Sequence, residues 1–374
     1  MAVLSSYPAI VMQQYGNFSL QGYYAGSTLG GGTFTWLTAA QASGLTPDGG
    51  VVIAPSDHSG DCSAGCLIRQ LNSGYVDPAF WGAYYDDTHD DATAIVDAID
   101  YVKGTGKFGN VSFGPGTMKV GSGLTIDPTE VGFKCNGTLL DFASLSSGTA
   151  LTIAHNTGGP LDTYVNAKMG IDGCSFQGSG ASNGVVGIYS SGAFDTAHYS
   201  ISNGYVNHFQ VGFENSMNSY LVHFLHFDIY GNGTGVLVDS ASNSGENISF
   251  NSLAIFGNVT NMDLENVGAL IYASEISMDY PVTTNLKLVY GQFNGSSVHF
   301  ENSAQPFVYV PSSVTGYQTQ FSCAACFVGQ SVGSSSVYPF DIEGAANVSL
   351  NGGFLSFDTG TTLPFKGNLN AHLN

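Results

Sequence analysis

Basic residues are what this chain has least of. Lys and Arg together number 8 in 374 residues, against 28 Asp and Glu, for a net charge of −20. A protein that tracks a phosphate backbone needs a basic stripe, so nucleic-acid binding is not expected. A strongly anionic polymer is repelled as well, which leaves neutral or cationic partners. Apolar runs of the roughly 18 residues that cross a bilayer are missing, so no membrane insertion is expected. The opening Met1–Pro8 has neither a basic nor a long apolar stretch and is no ordinary signal peptide. Cysteine is sparse, with 6 residues. Cys62, Cys66, Cys323 and Cys326 have the number for a four-thiolate zinc site, but neither pair sits in a knuckle context, so no metal and no cofactor is expected. Cys135 and Cys174 read as buried free thiols, and nothing resembles a disulfide framework.

Glycine is abundant instead, at 50 residues, within a composition that is 43% hydrophobic. This is a turn-rich, β-prone chain long enough for one elongated domain or two compact ones. Residues 1–75 read as a small β-rich region. The glycine triplet Gly30–Gly32 lacks the Lys-Ser/Thr of a phosphate loop, so it reads as a crowded turn. Residues 76–130 form a lead-in segment. Asp90 or Asp91 caps a predicted helix over Ala92–Lys103, with Ile95, Ala98, Ile99 and Val102 as its apolar stripe and Gly104 as its stop. The acids Asp86, Asp87, Asp90 and Asp91 lack calcium-loop spacing, and capping accounts for the last two.

Residues 131–374 carry short alternating runs a little over twenty residues apart, separated by turns such as Gly231–Gly235 and Gly257–Asn258. Val131–Cys135, Ala167–Cys174, Tyr199–Tyr205, Phe224–Tyr230, Ile248–Phe256, Ala273–Tyr280, Ser297–Asn302, Phe321–Phe327 and Asn347–Leu350 share this grammar. Such a period marks a solenoid, because a single coil cannot bury its own apolar edge and stacked coils can. Gly178–His198 and Asp239–Glu246 read as corner loops.

Alternate strand residues share a face. With Phe227, Ile229, Leu253, Ile255, Ile276, Met278, Val298 and Phe300 inside, three outward columns follow. They are His226, Ser252, Glu275, Ser297; Asp228, Ala254, Ser277, His299; and Tyr230, Phe256, Asp279, Glu301. Asp279 and Glu301 become direct neighbours about 4.8 Å apart, and Glu275 lies two pleats along from Asp279, about 7 Å away by the rise per residue. Two adjacent carboxylates resist joint ionisation, so one keeps a proton for a glycosidic oxygen while the other attacks or activates water. The catalytic candidates are therefore Glu275, Asp279 and Glu301. Tyr230, Phe256 and Tyr280 offer apolar platforms for sugars, and His226, His299 and Asp228 offer hydrogen bonds.

The stretch Phe80–Ile99, with its Trp-Gly-Ala, acidic turn and Ala-Ile-x-x-Ala-Ile helix, resembles the N-terminal motif of pectate-lyase-like β-helix proteins. Val111–Met118 and Gly123–Ile126 are similar to the strands that follow it there, and Gly22–Phe34 resembles the N-terminal part of bacteriophage tailspike depolymerases. The resemblance spans roughly residues 20 to 126. It implies an all-β fold, a right-handed single-stranded parallel β-helix with an N-terminal capping helix. It also implies a virion tail protein that acts at the host surface on a bacterial polysaccharide, as a homotrimer that meets other phage tail proteins. The chain ends soon after the last rung, so a large C-terminal trimerisation domain is not expected in it. Hydrolysis is the expected chemistry. A polysaccharide lyase on the same fold is the alternative, since it needs a uronate and a cationic or Tyr/His base, and a non-catalytic glycan receptor-binding protein is the third reading.

Overall fold

A run of only three to six alternating residues buries its apolar face when identical runs stack on it. That is what the chain does. The structure, a computed structural model, describes residues 3–71, 74–104, 109–159, 169–301, 306–315, 319–330, 338–357, 365–367 and 370–373. Parallel strands coil through about ten turns. One face is a ten-stranded sheet stacked in chain order, from Leu124–Ile126 to Phe365–Gly367. The other strands form a sixteen-stranded sheet bent into two faces. Inside, Phe224 stacks on Phe250 at 4.9 Å and Phe293 on Phe321 at 5.6 Å. Truncating any of these buried rings to Ala costs about 3–5 kcal/mol.

The bend is a column of left-handed residues. Gly137, Gly173, Asn203, His226, Ser252, Glu275, Ser297, Ala325 and Gly352 occupy equivalent positions on successive coils, all with φ between +51° and +75°. A non-glycine residue pays on the order of 1 kcal/mol for that conformation. Continuity of the ladder offsets the cost. The amides of Ser252, Glu275 and Ser297 donate to the carbonyls of Ser274, Ser296 and Ala324 on the next coil. On either side of the bend the side chains run in, out, out, in, as at Phe224, Leu225, His226 and Phe227.

This frame overturns the expectation for the cysteines. Cys323 and Cys326 are the two inward residues of one such corner and are disulfide-bonded. Cys135 and Cys174 are likewise bonded, joining the corners of neighbouring coils. Cys62 pairs with Cys66 across a tight turn. Gly178–His198 is also no mere loop, because Val185–Ser190 within it is a rung of the ten-stranded face. Thr234–Val238 is another such rung, so the strand starts inside the stretch read as a turn. Ala167, Lys168 and Asn302 lie outside the described residues.

At a second corner, four buried asparagines form a chain from coil to coil. The side-chain amide of Asn232 donates to Asn258, Asn258 to Asn261, and Asn261 to Asn285. Asn258 also donates to the carbonyl of Ile229, and Asn261 to that of Asp279 at 3.0 Å. Buried backbone carbonyls need such partners, so this chain fixes where the strand carrying Asp279 ends.

The N-terminal end follows the same accounting. Asn17–Leu20, Gly32–Thr38, Val52–Ile53 and Gly65–Arg69 form an antiparallel sheet. Buried Arg69 lies between the rings of Phe34 and Phe80 and donates to the carbonyls of Gly30, Gly31 and Gly50. Burial lowers its pKa to about 10. The glycine triplet thus cradles a guanidinium, and a Cβ on Gly30 would collide with the carbonyl of Ala79. The helix Ala92–Gly104 buries its Ala94, Ile95, Ala98, Ile99 and Val102 stripe. Asp90 accepts from the amide of Ala92, while the buried Asp91 carboxylate accepts from the amides of Tyr84 and Tyr85. A shorter helix, Ala9–Tyr15, has no counterpart in the sequence reading.

Candidate functional site

The face after the left-handed corner carries two outer columns. One runs Asn207, Tyr230, Phe256, Asp279, Glu301, Gly329; the other runs Tyr205, Asp228, Ala254, Ser277, His299, Phe327, Phe354. Met278 and Phe300, between them in sequence, are buried. Asp279 and Glu301 are therefore direct cross-rung partners on the outside of the coil, as the alternation predicts.

Asp279, His299 and Glu301 form one cluster, with one side-chain ligand atom of each lying within 4.8 Å of the others. Asp279 Oδ2 accepts from Ser277 Oγ at 2.7 Å, and His299 Nδ1 lies 3.6 Å from Glu301 Oε2. Half-burial pushes the Asp279 carboxyl up. The Ser277 hydroxyl and His299 oppose that, and the Glu301 charge adds to it. Asp279 thus holds its proton more tightly than an ordinary carboxyl. The three side chains could offer one ligand atom each to a cation, but each is only partly buried.

The other expected residues fall into four groups. Tyr230 and Phe256 stack at 4.9 Å and 7° directly before Asp279 in its column. Asp228 is committed to the scaffold, accepting from the amide of Ala254 at 2.9 Å. Glu275 and His226 sit in the left-handed corner column instead. Glu275 stands four positions before Asp279, about 13 Å of extended chain rather than 7, and the bend falls at Glu275. The Glu275 carboxylate accepts from Ser252 Oγ at 3.2 Å. Tyr280 is exposed at a positive-φ turn past the end of the Asp279 strand.

Phe327 and Phe354 went unrecognised. Phe327 packs on the His299 ring with centroids 4.4 Å apart, and Phe354 stacks on Phe327 at 5.6 Å. Extending the column past His299 into Phe321–Phe327 and the next rung would have found both. Lys287 and Lys366, the two cations beyond residue 170, are on the ten-stranded face. Lys287 pairs with Asp263 at 2.7 Å, and Lys366 with Asp341 and Glu343 at 3.1 Å. Neither column of the site face holds a Lys or Arg from Tyr205 and Asn207 onward.

No protein-family model and no curated protein matches the chain. Solved structures do. The enzymatically active domain of tailspike protein 4 from bacteriophage CBA120 matches with a TM-score of 0.74 at 18% identity, over 100% of this chain and 52% of that one. The corresponding domain of tailspike protein 2 from the same phage gives 0.63 at 14%, over 100% and 57%. The tailspike protein of Acinetobacter phage vB_ApiP_P1 gives 0.59 at 12%, over 93% and 64%. The chain spans a little over half the length of the first two. At these identities the likeness is one of fold, and the fold is the parallel β-helix of phage tailspike proteins.

Proposed function

We propose that the chain is a polysaccharide depolymerase of a phage tail, hydrolysing glycosidic bonds of a bacterial capsule, exopolysaccharide or O-antigen with Asp279 as general acid and Glu301 as nucleophile. The carrying observation is the Asp279–Glu301 pair, outward on adjacent rungs, with oxygens within 4.8 Å and unequal surroundings. Burial raises the Asp279 carboxyl, which suits it to give its proton to the leaving-group oxygen, and Glu301 attacks the anomeric carbon. Carboxyl groups this close fall on the short side of the range that separates retention from inversion. A double displacement with retained configuration follows, and Asp279 then activates the water that frees the glycosyl-enzyme.

Homotrimer assembly and other tail proteins as neighbours fit this reading, as does action at the host surface. Two of the three tailspike structures above are enzymatically active domains. Elimination is disfavoured because it needs a uronate whose charge is neutralised, and the two lysines beyond residue 170 are paired on another face. The test is a panel of bacterial capsules and O-polysaccharides, assayed for new reducing ends and for the ultraviolet band of an unsaturated sugar. New reducing ends without that band are expected. The band itself assigns a lyase. A parent chain that degrades no glycan would be a binding protein.

A further inference from the structure

Aromatic side chains approach the acid pair from both directions along the coil axis. Before it, Phe256 stacks on Tyr230 and ends one rung short of Asp279. After it, Phe327 and Phe354 stack at 5.6 Å and 14°. Gly329 accounts for the position of the Phe327 ring. It is the cross-rung partner of Glu301, and a Cβ there would collide with that ring. The ring therefore leans out of its own column, over the backbone beside Glu301. Phe354 remains 61% exposed. From Tyr230 to the Phe354 coil is five rung steps, roughly 24 Å at about 4.8 Å each. That length takes several linked sugars. Charges along it are Asp228, Asp279 and Glu301, with His299 beside them.

We infer that the Phe327–Phe354 stack is a second glycan subsite, so that an uncharged polysaccharide lies along the coil axis and is held on both sides of the acid pair. This rests on the depolymerase reading and adds the direction, length and charge of the bound segment. Aromatic surface in two blocks contacts the apolar faces of sugars, while the acids between them repel a uronate. Binding on both sides of the cleavage point makes the cut internal to the chain.

The experiment uses the full chain carrying Glu301→Gln, against immobilised purified bacterial surface polysaccharides, neutral and uronate-bearing. Neutral polymers are expected to be retained. Adding Phe354→Ala or Phe327→Leu should weaken retention by about fivefold to tenfold, in line with losing an aromatic contact. Phe354 is exposed and Phe327→Leu keeps apolar packing, so the thermal midpoint should hold, which a circular-dichroism melt checks. The inference falls if both changes leave retention intact or if uronate polymers bind as well as neutral ones. It also falls if no polymer is retained, or if Phe354→Ala alters only the oligomer mass, since the stack is then a subunit contact. Cleavage by the parent that needs Asp279 but neither Phe would leave the depolymerase standing without this subsite. Phe-dependent retention with no cleavage by the parent would do the reverse.

Discussion

Two faces of the same coil treat their acids in opposite ways. On the ten-stranded face, Asp263 and Asp341 each meet a lysine one rung on, Lys287 and Lys366. On the site face, the residue one rung on from Asp279 is another acid, Glu301. The backbone geometry is identical, since both are parallel cross-rung pairs about 4.8 Å apart. Burial raises the carboxyls of both Asp263 and Asp279. What differs is the neighbour. A lysine returns stability for the buried charge, whereas the Glu301 charge adds to the upward push that burial gives the Asp279 carboxyl. In a chain with so few lysines, where they stand separates the acids that are paired from those that face another acid.

The largest way to break that contrast is on the site face. Asp279→Asn and Glu301→Gln should each lower depolymerisation by about 10²–10⁴-fold, the scale of lost acid–base catalysis, with the fold unchanged by circular dichroism. Full activity in either would remove the pair from the reaction. Next comes the other face. Lys287→Met strands the largely buried Asp263 carboxylate and should cost about 2 kcal/mol in a urea melt, less than a fully buried pair because Lys287 is partly exposed. Replacing Asp263 by Leu as well should restore much of it, and turnover should stay at the parent level in both. A loss of turnover without loss of stability would mean that Lys287 serves the chemistry after all.

Much of this was legible in the residues. The alternation of Phe227, Ile229, Ile276, Met278 and Phe300 sets which side chains enter the coil, and the Ala-Ile-x-x-Ala-Ile stripe sets the capping helix. The corner was not legible as strict alternation, because a left-handed residue between two strands puts two consecutive side chains outside. Its signal is an apolar residue, two outward ones, then another apolar: Phe224 to Phe227, Phe250 to Leu253, Ala273 to Ile276, Cys323 to Cys326. Treating that frame as unbroken strand hid the Cys323–Cys326 bond, and Glu275 is four positions from Asp279, about 13 Å even along a straight strand. The ten-stranded face was hidden for another reason. Its rungs are short and begin within Gly/Asn turns, as Thr234–Val238 does.

The pH dependence sharpens the comparison further. With Asp279 as the proposed general acid, kcat/KM should fall as pH rises through its raised pKa, and that alkaline limb should vanish from the residual activity of Asp279→Asn. The stability sign is the same. Between the unfolded and the raised folded pKa the native state binds more protons, so stability falls as pH rises through that window. Asp279→Asn should therefore raise the melting temperature at neutral pH and leave it little changed at a pH below the ordinary Asp value. An equal gain at both would mean that the raised carboxyl is not the cause.

The smallest expected effect concerns Glu275, the acid at the bend. Glu275 is exposed, lies in the left-handed column, and binds Ser252 rather than Asp279 or Glu301. Glu275→Gln keeps that hydrogen bond through the amide oxygen and removes only the charge. Turnover should stay within about twofold, since an exposed charge some 13 Å along the chain is largely screened at physiological salt. Glu275→Gly tests the corner itself. Glycine adopts the left-handed conformation without a Cβ penalty but loses more entropy on folding, so the two effects oppose and stability should change by less than about 1 kcal/mol. If Glu275→Gln instead matched the loss seen for Asp279→Asn, the corner column would belong to the reacting site, and the division between the bend and the face beyond it would be wrong.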